Sequence, residues 1–261
     1  MRVLKADDYQ TWYIDEDNFS VLIDPWLDKR LNPHSSFILQ REREVPSCLN
    51  EKDLSKVKAV IITAPFVDHF HLPSLKKLNK DVQIITTSRV KKTLEKKGFL
   101  NRVTCVGNNP IEIGPFKLSA YPAGFPYNWS SFCFYLENNK GKRLFQESHV
   151  ANLSLIKKIN QTCDLALITV DSVKLLGVLK LSMSLEQSIK VTSLLGAKKL
   201  MATGTSPFLL KGLIRKLLLT ESKQKNYSIE GGPQVLYKRG DEVILYCLLY
   251  TSPSPRDGLL S

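Results

Sequence analysis

Residues 57–71 read VKAVIITAPFVDHFH and carry the clearest structural signal in the sequence. The first seven residues, Val57–Thr63, form a continuous apolar and β-branched run, which predicts a strand covered on both faces. Asp68, His69 and His71 follow it directly. Because loops at the ends of buried strands are where rigid scaffolds place binding and catalytic groups, this stretch predicts a candidate site as well as a strand.

The elements predicted on either side of this stretch change in kind along the chain. Strand-like segments dominate the first half, and buried strands alternate with helices in the second half. Ser184–Leu195, for example, is predicted to be a helix with a capping box at its start. Pro207–Leu219 is also predicted to be a helix, whereas residues 28–50 lack a sustained period and are predicted to be irregular. The pattern indicates sheets sandwiched between helical layers.

One domain is expected to cover residues 1–248. The remaining residues, 249–261, are rich in serine, proline and glycine, and they are predicted to be a disordered or artefactual tail. No internal repeat and no linker interrupt the domain.

The composition excludes several classes of protein. No apolar run approaches the roughly 20 residues of a membrane-spanning helix, and the N-terminus lacks the shape of a secretory signal. The five cysteines are odd in number and form no C-x-x-C pair. These features predict a soluble protein of the cytoplasm or another reducing intracellular compartment.

The charge of the chain is strongly positive. Lys and Arg number 37 and Asp and Glu 25, which gives a net charge of +12. Such a balance allows anionic partners, including nucleic acid. The lysines are scattered in pairs rather than in one basic block, so a solvated surface is the favoured interpretation.

A second turn carries chemistry of the same kind. Glu147-Ser148-His149 follows the strand-like segment KRLFQ. A carboxylate and an imidazole from each of two turns supply the oxygen and nitrogen donors of a divalent metal site. Two alternatives remain open at this stage: the histidines are ordinary polar loop residues, and Asp68 caps the short helix expected near Pro73.

Three segments resemble one known family. Val60–His69 is similar to the T-H-x-H-x-D-H signature of the metallo-β-lactamase superfamily, and Val21–Trp26 matches the strand and D-P pair that precede it there. Ser182–Phe208 is similar to the late helix–strand unit of the ascorbate-phosphate-lactonase-like branch. The resemblance spans nearly the whole chain and implies a four-layer αββα sandwich, an α/β fold.

The metal motif of that family is degenerate here. The first two signature histidines fall on Ala64 and Phe66, a mid-chain histidine falls near Phe125, and the last falls on Gly204. Asp68 and His69 are retained. The resemblance therefore implies at most a reduced metal site.

Two functions from different classes follow from these residues. In the first, Asp68, His69, Glu147 and His149 hold a single divalent ion, expected to be zinc, with iron or manganese as alternatives. Asp68 and His71 then serve catalysis, His71 as ligand or proton carrier. The protein is then a metal-dependent hydrolase of a small ester, lactone or phosphoester, anionic substrates included.

In the second, the metal is absent and the same fold binds a ligand or partner without catalysis. A third interpretation is a nuclease-like protein that binds RNA or DNA. The sequence predicts no oligomeric state.

An aromatic loop is the last distinctive feature. Phe125–Trp129 reads FPYNW. It is predicted either to line a substrate pocket or, as the favoured interpretation, to be anchored in the core by Phe125 and Trp129.

Overall fold

The computed structural model describes residues 1–31, 40–204, 209–212, 217–220, 227 and 231–246. The predicted tail, 249–261, lies outside these residues, as do His34 and Cys247.

The first large sheet contains the strand that the apolar run 57–63 predicts. Its order is β20-β1-β2-β3-β6-β7-β8, and β3, β6, β7 and β8 run parallel to one another. Parallel strands covered on both faces require apolar side chains throughout, which explains the unbroken run. The strands are β1 (Arg2–Lys5), β2 (Trp12–Glu16), β3 (Phe19–Ile23), β6 (Val57–Ile61), β7 (Gln83–Thr86), β8 (Val103–Cys105) and β20 (Glu242–Ile244).

The second large sheet also has seven strands. Its order is β19-β16-β13-β12-β11-β10-β9, with β12, β13, β16 and β19 parallel and the β9–β12 half antiparallel. The strands are β9 (Ile111–Ile113), β10 (Phe116–Pro122), β11 (Phe132–Asn138), β12 (Arg143–Glu147), β13 (Leu165–Thr169), β16 (Lys199–Thr203) and β19 (Gln234–Leu236).

Within the described residues, five helices cover the outer faces of the two sheets. Ser184 precedes the longest one, and Oε1 of Gln187 accepts the Ser184 N–H at 3.2 Å, as the capping-box pattern predicts. The helices are α1 (Glu51–Ser55), α2 (Leu72–Leu75), α3 (Ser88–Lys96), α4 (Leu153–Ile159) and α5 (Leu185–Leu194).

The buried apolar side chains form three layers of contact. One cluster joins the inner faces of the two sheets and includes Ile23 and Phe134. A second packs α3 against the first sheet through Val90, and a third packs α5 against the second sheet through Val191. Two sheets face to face with helices outside confirm the predicted four-layer αββα sandwich.

Two small sheets lie beside this sandwich and overturn two sequence-based predictions. Residues 28–50 are not irregular throughout, because β4 (Arg30–Leu31) and β5 (Gln40–Glu42) pair within them. The helix predicted at Pro207–Leu219 was wrong, because β17 (Leu209–Lys211) pairs with β5 and β18 (Leu218–Thr220) pairs with β14 (Val173–Leu175). The remaining strand is β15 (Leu179–Lys180).

Within the described part of the chain, no helix is long and apolar enough to cross a membrane. Cys48, Cys105, Cys133 and Cys163 carry free thiols.

Candidate functional site

The two large sheets present the carboxyl ends of their parallel strands at one edge of the sandwich. Strands β3 and β6 end near Asp24 and Thr63, and β12 ends at Glu147. The Phe132 N–H of the second sheet donates to the Thr63 carbonyl of the first at 3.2 Å. The turns after β6 and β12 therefore meet, as the sequence predicts.

Asp24 organises the turn after β6 from inside the protein. Its carboxylate accepts hydrogen bonds from the Thr63 N–H at 2.8 Å, the Thr63 hydroxyl at 2.6 Å and Nδ1 of His69 at 2.7 Å. Asp24 is fully buried and has a φ of +46°, a conformation that a non-glycine residue adopts only where its surroundings impose it. The Nδ1 proton of His69 is fixed by these contacts, and its Nε2 points away from Asp24.

Electrostatics favour the protonated form of the His69 ring. Burial by itself would lower the pKa of His69, but the charge and hydrogen bond of Asp24, with the charge of Asp68, raise it above its usual value.

Asp68 lies in a tight turn and is held by three polar neighbours. The backbone of this turn closes with the Phe70 N–H donating to the Phe66 carbonyl at 2.7 Å. Oδ2 of Asp68 accepts from Nη1 of Arg41 at 2.5 Å and from the Tyr9 hydroxyl at 3.1 Å, while Gln10 donates to the Asp68 carbonyl. Asp68 is thus part of a mostly buried ion pair.

The partner in this pair, Arg41, was not foreseen from the sequence. It lies on β5, in the segment that lacks a periodic pattern, and its Nη1 also donates to the Tyr9 hydroxyl at 2.6 Å. Burial opposes ionisation of Asp68, yet the Arg41 guanidinium holds the pKa of that carboxyl well below its usual range.

Glu147 and His149 stand at the end of β12 on the opposite side. Oε1 of Glu147 accepts the His149 N–H at 2.8 Å, which closes the turn between them. Glu147 is 1% exposed, and burial raises the pKa of its carboxyl to about 8. Burial, followed by the charge of His69, lowers the pKa of His149 well below its usual value. At neutral pH, Glu147 therefore holds a proton and His149 is a neutral imidazole.

The imidazoles of the two turns are in direct contact. The His69 and His149 rings stack with centroids 4.6 Å apart and planes 18° apart. Tyr127 lies 4.0 Å from the His149 ring, and Phe66 lies 5.8 Å from it. The site is therefore a pair of stacked imidazoles enclosed by aromatic side chains, with Asp68 and Glu147 beside it.

His71 does not join this cluster. Its Nδ1 is hydrogen-bonded to the Ser74 hydroxyl at 2.7 Å, which in turn accepts the Leu27 N–H. Burial lowers the pKa of His71 to about 4, and the charges that act on it are those of Asp28, Lys77 and Arg43. The structure places His71 at the start of α2, among groups other than the stacked rings.

The aromatic loop Phe125–Trp129 lies on the rim of the site. Phe125 is 73% exposed and Trp129 is 92% exposed, so the prediction that they anchor the loop in the core was wrong. The anchor is Gly124, whose N–H donates to the Val150 carbonyl at 2.6 Å; a Cβ there would lie 2.4 Å from that oxygen. Tyr127 is half-buried and packs on the His149 ring, which favours the pocket-lining interpretation of the loop.

Lys5, a buried lysine, holds the loop that carries Tyr9. Nζ of Lys5 donates to the Tyr9 and Ala202 carbonyls, each at 2.8 Å, and the Gly204 N–H also donates to the Tyr9 carbonyl at 3.1 Å. These bonds tie the Tyr9 loop to the end of β16. They keep the Tyr9 hydroxyl in place against Asp68.

The predicted metal ligands supply suitable donors but not a suitable arrangement. Asp68, His69, Glu147 and His149 are of the right chemical kind, and Oε2 of Glu147 is buried without a hydrogen-bond partner in the described structure. However, Oδ2 of Asp68 already accepts a hydrogen bond from the Arg41 guanidinium. Among the residues that the structure describes, no group of three or more His, Cys, Asp or Glu side chains is placed to hold a metal ion. The site as arranged does not fit a divalent metal.

Comparison with protein families now identifies the class. Residues 20–204 match the model of the beta-lactamase superfamily domain, and the chain belongs to this family. Comparison with curated protein sequences gives no significant match.

Solved structures with the same architecture cover almost the whole chain. The isothiocyanate hydrolase from Delia radicum gut bacteria is 16% identical with a TM-score of 0.70, over 94% of this chain and 99% of that one. A possible metal-dependent hydrolase from Veillonella parvula is 16% identical with a TM-score of 0.65, over 94% and 98%. The metallo-beta-lactamase fold protein YhfI from Bacillus subtilis is 12% identical with a TM-score of 0.62, over 93% and 99%. At these identities the likeness establishes the fold.

Proposed function

We propose that the protein is a hydrolase of a small ester, lactone or phosphoester, with the stacked imidazoles of His69 and His149 at its reacting centre. The observation that carries this proposal is their contact at 4.6 Å, at the edge where the parallel strands of both sheets end. Ligands of open α/β sheets bind outside the carboxyl ends of the strands. Two structural neighbours that are named as hydrolases support the same class.

The chain's own groups suit proton transfer. His149 is buried, and no hydrogen bond to its ring nitrogens is seen in the described structure, so a ring nitrogen is open to accept a proton from an attacking water. Asp24 orients His69 through Nδ1, as a carboxylate orients the histidine in other hydrolases. Phe66 and Tyr127 pack against the rings of His69 and His149 and border the approach to them.

The metal centre of Asp68, His69, Glu147 and His149 stays a prediction, with zinc ahead of iron or manganese. The role of His71 as a proton carrier also stays a prediction. The reaction proposed here uses no step through a metal ion, because Asp68 is paired with Arg41.

The test is turnover by the full chain with and without added divalent metal. Aryl acetates, γ-lactones and aryl phosphates are offered to the protein and to His149→Asn and His69→Asn. We expect at least one substrate class to be hydrolysed, with a loss of about 100-fold or more in kcat in each variant, as is usual when an acid–base group is removed. Circular dichroism checks that each variant is folded.

One observation favours a second candidate, a ligand-binding protein without catalysis. Ala64 is buried at the site and Phe66 borders the stacked rings, which makes this wall apolar. Saturable binding of the same compounds without turnover of any of them, under either metal condition, would establish this alternative and end the hydrolase proposal.

A nuclease-like function remains a prediction from the net charge alone. Its signature is RNA or DNA binding that weakens steeply as salt is raised.

A further inference from the structure

We propose that Arg41 takes the place of a cation at Asp68 and thereby prevents the histidine pair from holding a divalent metal tightly. The proposal concerns metal affinity and is independent of whether the protein turns over a substrate.

Several contacts fix the geometry of the Arg41–Asp68 pair. Nη1 of Arg41 lies 2.5 Å from Oδ2 of Asp68, and the two side chains are only 14% and 15% exposed. The same Nη1 donates to Tyr9, whose hydroxyl donates to the same Asp68 oxygen. Three residues from separate segments thus fix one guanidinium nitrogen on one carboxylate oxygen. A hydrogen bond between a guanidinium and a carboxylate is charge-assisted and stronger than one between neutral groups.

The ring of Tyr9 also holds the guanidinium from the side. Cζ of Arg41 lies 5.0 Å from the centroid of that ring, within the range of a cation–π contact. Trp26 contacts the Tyr9 ring edge-on, with centroids 6.2 Å apart and ring planes 78° apart. The arginine is therefore positioned by packing as well as by charge.

A metal ion would compete directly with this arrangement. An ion bound to Oδ2 at about 2.2 Å would lie within about 4.7 Å of Nη1, and two cations so close in a partly buried site repel each other. Ala64 and Phe66, in the turn that leads to Asp68, have side chains that offer no ligand in exchange. Removing the guanidinium frees the carboxylate beside His69 and His149.

The experiment measures Co²⁺ affinity by titration of the metal-free protein, followed through visible absorption. Wild type is compared with Arg41→Gln and with the matched control Arg30→Gln, whose arginine pairs with Glu42 at the surface of the same small sheet. We expect Arg41→Gln to bind Co²⁺ at least ten-fold more tightly than wild type and Arg30→Gln to bind as wild type does. The gain should disappear in Arg41→Gln/Asp68→Asn, which assigns it to the freed carboxylate. Equal or weaker binding by a folded Arg41→Gln overturns the proposal.

A measurement on the wild type decides the matter if Arg41→Gln does not fold. Metal content is determined after saturation with Co²⁺ and dialysis against a chelator. Complete loss of the ion supports the proposal. Stoichiometric retention that is abolished by His69→Asn overturns it, because the site then binds metal tightly with Arg41 in place.

Discussion

Oδ2 of Asp24 lies 2.7 Å from Nδ1 of His69, although the two residues follow different strands and the aspartate is sealed from solvent. The contact makes Asp24 the internal support of the site. The Asp24 carboxylate also joins the end of β3 to the end of β6, because it accepts two hydrogen bonds from Thr63.

Replacing Asp24 by alanine should destabilise the fold strongly. The change leaves a buried N–H, a hydroxyl and an imidazole without their acceptor, and breaking a buried charged pair costs about 3–5 kcal/mol. Urea unfolding measures the free energy. The control is Asp28→Ala, which removes a solvent-exposed partner of Lys77 and should cost at most about 1 kcal/mol. Similar losses of unfolding free energy in the two variants would show that Asp24 stabilises the fold no more than a surface aspartate does.

Glu147 should make the protein less stable as the pH rises. The folded state keeps the Glu147 proton up to about pH 8, whereas the unfolded chain loses it near 4.5, so the folded state binds more protons between these values. Stability therefore falls through that window and levels off above it, by roughly 5 kcal/mol at most. Glu147→Gln should remove this fall in urea unfolding at pH 5 and pH 9. A variant with the wild-type slope would contradict the assignment.

His71 should act in the opposite direction, on the acid side. Its pKa is about 4 in the folded protein, below the usual 6.5, so the unfolded state binds more protons between pH 6.5 and pH 4. Stability is full above this window and is lost as the pH falls through it. His71→Asn should make the loss shallower. His149 is shifted in the same direction, so part of the slope should remain, and an unaltered slope in His71→Asn would refute its contribution.

Trp129 should affect substrate affinity and leave the fold intact. With 92% of its surface exposed, it contributes little packing, and Trp129→Ala should change the free energy of unfolding by no more than about 0.5 kcal/mol. If the rim contacts substrate, KM for an aryl ester should rise several-fold while KM for a small alkyl ester stays constant. If Trp129→Ala instead loses stability and keeps the wild-type KM for both esters, the loop has a structural role.

The sequence was sufficient to predict the meeting of the two turns. Strong apolar runs such as Val57–Thr63 mark buried strands, and site residues gather in the loops after such strands. The polar residues after β6 and β12 were therefore expected to converge, although the two strands lie in different sheets. This reasoning located Asp68, His69, Glu147 and His149 in one place. It also noted Asp24 as part of a D-P pair, without assigning it a role.

Arg41 was beyond such reasoning because its position depends on distant pairing. Strand β5 has three residues and no burial contrast, and it is stabilised by β17 from the far end of the chain. The same pairing explains the failed helix prediction. The run after Pro207 has helical apolar spacing, but the strand pairs and a φ of +102° at Gly212 override it.

The stacked imidazoles come one from each sheet, so their separation is a gauge of the alignment of the two layers. A core substitution that shifts one sheet against the other by about an ångström can keep the fold at a modest cost in stability, because cores tolerate volume-conserving apolar changes. It nevertheless pulls the rings apart. We therefore expect that core substitutions far from the site lower the activity first, in variants that still appear folded by bulk measurements.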